Sequence, residues 1–208
     1  MNKITDFFKK LIKSVKGFEN YQSLSKESLK KTIMHTFLIT LITSVVIIIG
    51  LIPKLPEVIN EAKQYITVEN EQQLNESVIY YSAVITTCTT TIITNFIAVL
   101  ADIMLLSILG YMINKIMKIQ LNFQSIYKFA NYAIVVPIIL QCIYLIVNII
   151  TGYTIKYFQI MYMLISYIYL ISALIITKLD IIKNNQEVEK IIEEQEKIEE
   201  GIDFNKEK

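Results

Sequence analysis

The chain has no arginine and no tryptophan; all twenty of its basic residues are lysine. Arginine is the side chain that grips phosphate and carboxylate with two parallel hydrogen bonds, so its absence argues against recognition of that kind. A net charge of +1 leaves no electrostatic footprint for nucleic acid. Only one histidine, His35, and two cysteines, Cys88 and Cys142, are present. With no CxxC pair they cannot assemble a Cys/His zinc set, and no metal or other cofactor is expected. Both cysteines fall in apolar stretches and read as small packing residues. The apolar stretches hold no paired carboxylates, no Ser/His pair in membrane register and no HExxH motif, so no enzymatic activity is expected.

Charge is also missing from long stretches. Thr32 to Pro53, Phe129 to Ile155 and Tyr157 to Thr177 carry none, and Val78 to Asn114 carries one, Asp102. A bilayer core of about 30 Å is crossed by about 20 apolar residues as a helix, and each stretch is long enough. The expected fold is therefore an all-α integral membrane protein with four transmembrane helices, near 33–52, 78–114, 129–150 and 157–177. N-terminal helices (1–31) precede the membrane domain (32–177), which includes an external loop (54–77); a charged tail (178–208) follows. Eight lysines lie within residues 1–31, whereas the 54–77 loop has two lysines against five glutamates. The positive-inside rule then places both termini in the cytoplasm of a multi-pass protein of the bacterial cytoplasmic membrane.

The second stretch is long for one crossing: 37 residues make about 55 Å of helix. No Pro or Gly between Val78 and Leu109 marks a hairpin turn. One crossing leaves the acid-free loop holding Lys115, Lys118 and Lys128 inside, in keeping with the charge rule. A five-span arrangement is the alternative. On one helix, Thr87, Thr91 and Asn95 are four apart and Asp102 is seven beyond, forming a polar stripe. A charge at the bilayer centre costs about 2.5–3.5 kcal/mol, so Asp102 is packed, interfacial, or part of an ion or solute path. Gln141 and Asn148, seven apart on the third span, are candidates for helix–helix hydrogen bonds. Pro137 should bend that span.

At the N-terminus, Ile4, Phe7, Phe8, Leu11, Ile12, Val15 and Phe18 share a helical face, with Lys9, Lys10, Lys13 and Lys16 mostly away from it. Such a basic amphipathic helix either lies in the interface, its lysines on anionic lipid headgroups, or packs on the protein's own helices. Ser25 reads as the next N-cap with Glu27 in the first turn. His35 and Tyr153, Tyr157, Tyr162, Tyr167 and Tyr169 read as interfacial residues. The tail holds ten acidic residues and six lysines. Val188, Ile191, Ile198 and Ile202 approach a heptad spacing, but a solvated helix ending near Gly201 is expected. The basic first helix and the acidic tail share one side of the membrane and should attract each other.

The stretch "FQSIYKFANYAIVVPIILQCIYLIV", with its Tyr-Lys entry, "NYA" and mid-helix proline, resembles domain-of-unknown-function family 1189, grouped with the Yip-type membrane proteins. "DFFKKLIKSV", "SKESLKKTI" and "IPKLPEV" resemble it too, so the likeness covers nearly the whole chain. The external segment is shorter here than that family's pattern leads one to expect. The resemblance implies a multi-span helical protein of the cytoplasmic membrane; some members carry a maltodextrin-utilisation label, and no catalytic residues come with it. The expected function is a non-enzymatic membrane interaction or scaffold protein, whose partners are the bilayer and a membrane or cytoplasmic protein. The alternative is an accessory component of solute transport.

Overall fold

In the computed structural model, residues 3–17, 20–65 and 76–203 are described. The chain is all-α, and among the described residues no strand forms. Helices run in the order α1 (Lys3–Lys16), α2 (Asn20–Ser25), α3 (Leu29–Leu51), α4 (Leu55–Tyr65), α5 (Glu76–Met117), α6 (Phe123–Ala133), α7 (Val135–Thr151) and α8 (Phe158–Asp203). Phe18, residues 66–75 of the expected external loop and residues 204–208 of the tail lie outside the described residues, as do the side chains of Ile4, Lys16, Ile198 and Ile202.

Four helical segments are long and apolar enough to cross a membrane: Leu29–Glu61, Ser77–Met117, Phe123–Thr151 and Phe158–Glu193. Within each, only 22% to 33% of the apolar window is buried inside the protein, leaving the rest to face outward. The long second stretch is one continuous helix. The 42 residues of α5 extend about 63 Å, so the five-span alternative falls away. The expected loop at 54–77 is helical in its first half: Pro53 enters a short 3-10 turn, Ile52–Lys54, and α4 continues from it.

α3 is a soluble helix turned inside out. Thr32, Thr36, Thr40, Thr43 and Ser44 are buried, while Met34, Ile42, Val45 and Ile49 are exposed. The buried hydroxyls bond carbonyls of their own helix, Thr36 to Thr32, Thr40 to Thr36 and Ser44 to Thr40 at 2.8–3.2 Å, so no donor is stranded. Small residues of this kind let helices approach closely without exposing backbone. Gly110 marks such an approach: a Cβ there would stand 2.9 Å from side-chain atoms of both Ile126 and Leu170. That fixes where α5, α6 and α8 meet.

The third span breaks where its proline requires. Pro137 has no N–H for the carbonyl four residues back, and the helix interrupts at Ile134 between α6 and α7. The α5–α6 turn is held by a buried side chain. Asn114 donates to the Leu121 carbonyl at 3.0 Å and accepts from the Leu121 N–H at 3.1 Å. Ile119 N–H also reaches the Asn114 carbonyl, closing a Schellman cap with Lys118 at φ 55° where glycine is usual.

The densest packing lies at the α1 end of the bundle. Ile103, Leu106, Ile126, Phe129, Ala130, Tyr132, Ala133, Leu170, Ala173 and Leu174 are all buried there. Towards the other end, Ile143, Ile146, Val147 and Ile150 are exposed and form an apolar surface.

Candidate polar sites of the helical bundle

A polar cluster lies at the α1 end and joins four elements. Glu27 sits in the turn between α2 and α3, after Ser25 ends α2 and before Ser28 caps α3. Ser25 is therefore not the N-cap that the sequence indicates, and Glu27 is not in a first turn. The turn frees the Glu27 carboxylate to accept from Lys10 Nζ on α1 at 2.8 Å and from the Tyr132 hydroxyl on α6 at 3.2 Å. Lys128 Nζ donates to the Ser25 carbonyl at 2.8 Å.

His35 lies beneath this pair. It is not interfacial: its ring is 3% exposed, 5.2 Å from the Phe7 ring and 5.5 Å from the Tyr132 ring. The reason is that α1 folds over the start of α3 and lays Phe7 across it. At the adjoining residues, the Asn131 side-chain amide donates to the Thr36 hydroxyl in a short contact. Tyr21 is fully buried; its hydroxyl donates towards the carbonyls of Ser14 at 3.3 Å and Tyr132 at 3.2 Å. Burial, with a smaller contribution from Tyr169, pushes the Tyr21 phenol well above its ordinary value.

The cluster sorts the lysines of the first helix. Lys10 is buried against Glu27, whereas Lys9 and Lys13 are exposed. The apolar face divides as well. Phe7 is buried against the bundle and Leu11 is partly so, while Phe8, Ile12 and Val15 point outward at 53%, 46% and 44% exposure. Packing on the protein's own helices thus takes half of that face and leaves the other half.

The stripe on α5 does not act as a unit. Asn95 donates to the Thr40 carbonyl at 3.1 Å and to the Ser44 hydroxyl at 2.9 Å, a direct bridge from α5 to α3. Thr87 and Thr91 are half-buried on the same helix and make no such bridge. Asp102, also half-buried, lines a cavity of about 10 Å³ with Tyr162, Ser166 and Tyr167 of α8. That is room for about one water molecule. Tyr162 is buried and not an interfacial anchor, in contrast to the exposed Tyr153 and Tyr157. It also borders a larger apolar groove of about 240 Å³ between α7 and α8.

A family model described as a protein of unknown function (DUF1189) matches residues 8–72 and 68–174, from the exposed face of α1 to the buried part of α8. The chain belongs to the DUF1189 family. No curated protein and no solved structure matches it.

Two further residues of the DUF1189 chain were candidates for contacts between helices. Asn148 turns instead to the link after its own helix, donating to the Tyr153 carbonyl at 2.9 Å. It sits one turn before the left-handed Gly152, so its amide meets the reversing chain before it can meet a neighbouring helix. Gln141 is half-buried on α7. Beside it in sequence, the Cys142 thiol reaches the Thr43 hydroxyl of α3 at 3.4 Å, and both cysteines are free thiols. Among the described residues, no group of three or more His, Cys, Asp or Glu stands where it could hold a metal ion. The Lys10–Glu27–Tyr132 contact of this DUF1189 protein is the feature that spacing along the chain could not reveal. Its members are 17 and 105 residues apart, and the sequence signal was only an acid following a basic helix.

Proposed function

We propose that this protein is a non-enzymatic interaction protein of the bacterial cytoplasmic membrane, with both ends in the cytoplasm and arms that recruit a membrane or cytoplasmic protein. The observation that carries this reading is the docked first helix. A part-buried ion pair and a buried tyrosine fix α1 to the bundle, yet Phe8, Ile12 and Val15 stay exposed between lysines. A helix held in place with an uncovered apolar face is a built surface and not a loose end. Anionic headgroups would attract Lys9 and Lys13, which are exposed on that helix.

A role as an accessory of solute transport draws on the α5 stripe, of which Asp102 is the charged member, and its maltodextrin link on the family resemblance. The cavity beside that carboxylate has room for only about one water, which favours a local packing part over a solute path. Asp102→Asn separates the two readings. An interaction protein keeps its membrane abundance and leaves cellular sugar uptake unchanged; uptake lost at normal abundance would sink the interaction reading in favour of transport.

A further inference from the structure

The outward face of α1 and the projecting part of α8 carry one pattern with opposite signs. On α1, Phe8, Ile12 and Val15 are each followed by a lysine: Lys9, Lys13 and Lys16. On α8, Val188, Ile192 and Gln195 are each followed by a glutamate: Glu189, Glu193 and Glu196. The intervals are four and three residues in both, the spacing of a helix–helix seam. Neither face is covered within the chain: Val188 is 54% and Ile192 48% exposed, much as Phe8 and Ile12 are.

We infer that the acidic tail helix of one copy docks, antiparallel, on the outward face of α1 of a second copy. This rests on reading the chain as an interaction protein and names the partner of that surface. The sign of the charges excludes like pairing, since two tails would set glutamate beside glutamate and two first helices lysine beside lysine. The direction follows from geometry. On α1 the charge stands one residue after each seam residue; on α8 that flank holds three glutamates, Glu189, Glu193 and Glu196, against two, Glu187 and Glu194, on the other. Turning one helix end for end about an axis through the interface brings those flanks together, whereas a parallel pair puts them on opposite sides.

A contact within one chain is opposed by the fold. Lys10–Glu27 and Tyr21 pin α1 to the bundle, while α8 runs on as one helix, with Val188 about 16 Å beyond Thr177, the last buried residue among its described side chains. Reciprocal docking, each α1 on the other copy's tail, closes a two-fold dimer. An anionic bilayer would cover the stripe of α1 but repel a tail that holds nine acidic residues and four lysines over 178–203. It would leave Val188 and Ile192 bare, and pairing covers both faces at once.

The test uses two differently tagged full-length copies with Cys88 and Cys142 changed to alanine, co-expressed in membranes. One carries Ile12→Cys and the other Ile192→Cys, so that a mixed-tag disulfide arises only between copies. The expected result is a mixed dimer on mild oxidation. Glu189→Lys with Glu193→Lys should reduce it about tenfold, and adding Lys9→Glu with Lys13→Glu to the other copy should restore it. No mixed dimer while both cysteines react with a soluble thiol reagent would overturn the pairing, as would a mixed dimer indifferent to charge reversal. Protection of Ile12→Cys that persists after the tail charges are reversed would overturn it too, and would assign the face to the bilayer. Failure here leaves the Asp102→Asn comparison standing, so the pairing and the broader reading can fall separately.

Discussion

Glu27 ties together elements that the chain itself separates widely. Its carboxylate accepts from Lys10 and from Tyr132, with the lysine almost wholly out of solvent. Removing one member of such a pair costs more than the pair contributes, because the other charge is left buried without its counter-charge. Glu27→Gln is therefore expected to weaken the docking of α1 by about 1–3 kcal/mol. Thiol labelling of Ser14→Cys, a buried position, should rise accordingly, and adding Lys10→Met should bring it back down. Tyr21 gives the same dock a dependence on pH. Its phenol is raised by burial, so the folded form holds its proton more tightly than the unfolded form does. The contribution is complete below the usual phenol value of about 10 and is lost as pH rises above it. Labelling of Ser14→Cys should increase above that pH in the parent protein, and Tyr21→Phe should remove that step. None of these partnerships was legible from residue types. Glu27 read as a helix-start acid, Lys10 as one surface lysine among several and His35 as interfacial, because spacing reports only neighbours within a turn or two.

Among the helices, α3 and α5 show which polar residues in a span serve packing. Asn95 crosses to Thr40 and Ser44, while Thr87 and Thr91, equally visible in the sequence, do not cross. Interhelical hydrogen bonds in membranes average about 0.6 kcal/mol because the separated helices also find partners. Asn95→Ala should therefore lower stability by about 0.5–1.5 kcal/mol in thermal unfolding in detergent, and Thr91→Ala should be close to neutral. A loss above about 3 kcal/mol for Asn95→Ala would mean that it does more than bridge. The existence of these helices was plain from uncharged runs, and the break near Pro137 from the missing donor. Their ends were less plain. α3 begins at Leu29 and α8 runs unbroken from span into tail, because continuous backbone hydrogen bonding does not stop where the charges begin. The left-handed Lys118 was not foreseeable either: it closes a Schellman cap in a turn that the Asn114 side chain bridges to Leu121.

For the whole molecule, the expected outcome concerns direction in the bilayer. Single cysteines at Gln124, Thr154 and Gln195, in a chain without Cys88 and Cys142, should react with a membrane-impermeant reagent on intact cells only at Thr154. Labelling at Gln124 and Gln195 instead would invert the molecule. The sequence by itself determined that this is an all-α chain with four helices able to cross a membrane, because excluding charge over twenty residues is a requirement that composition must meet locally. It also determined the amphipathic basic helix and the charged tail, both set by spacing within one helix. Only the tertiary structure decided which polar residues meet. It also decided that half of the apolar face of α1 is spent on the bundle. Those outcomes depend on residues 17 to 105 positions apart arriving at the same few ångströms, and no local pattern encodes that.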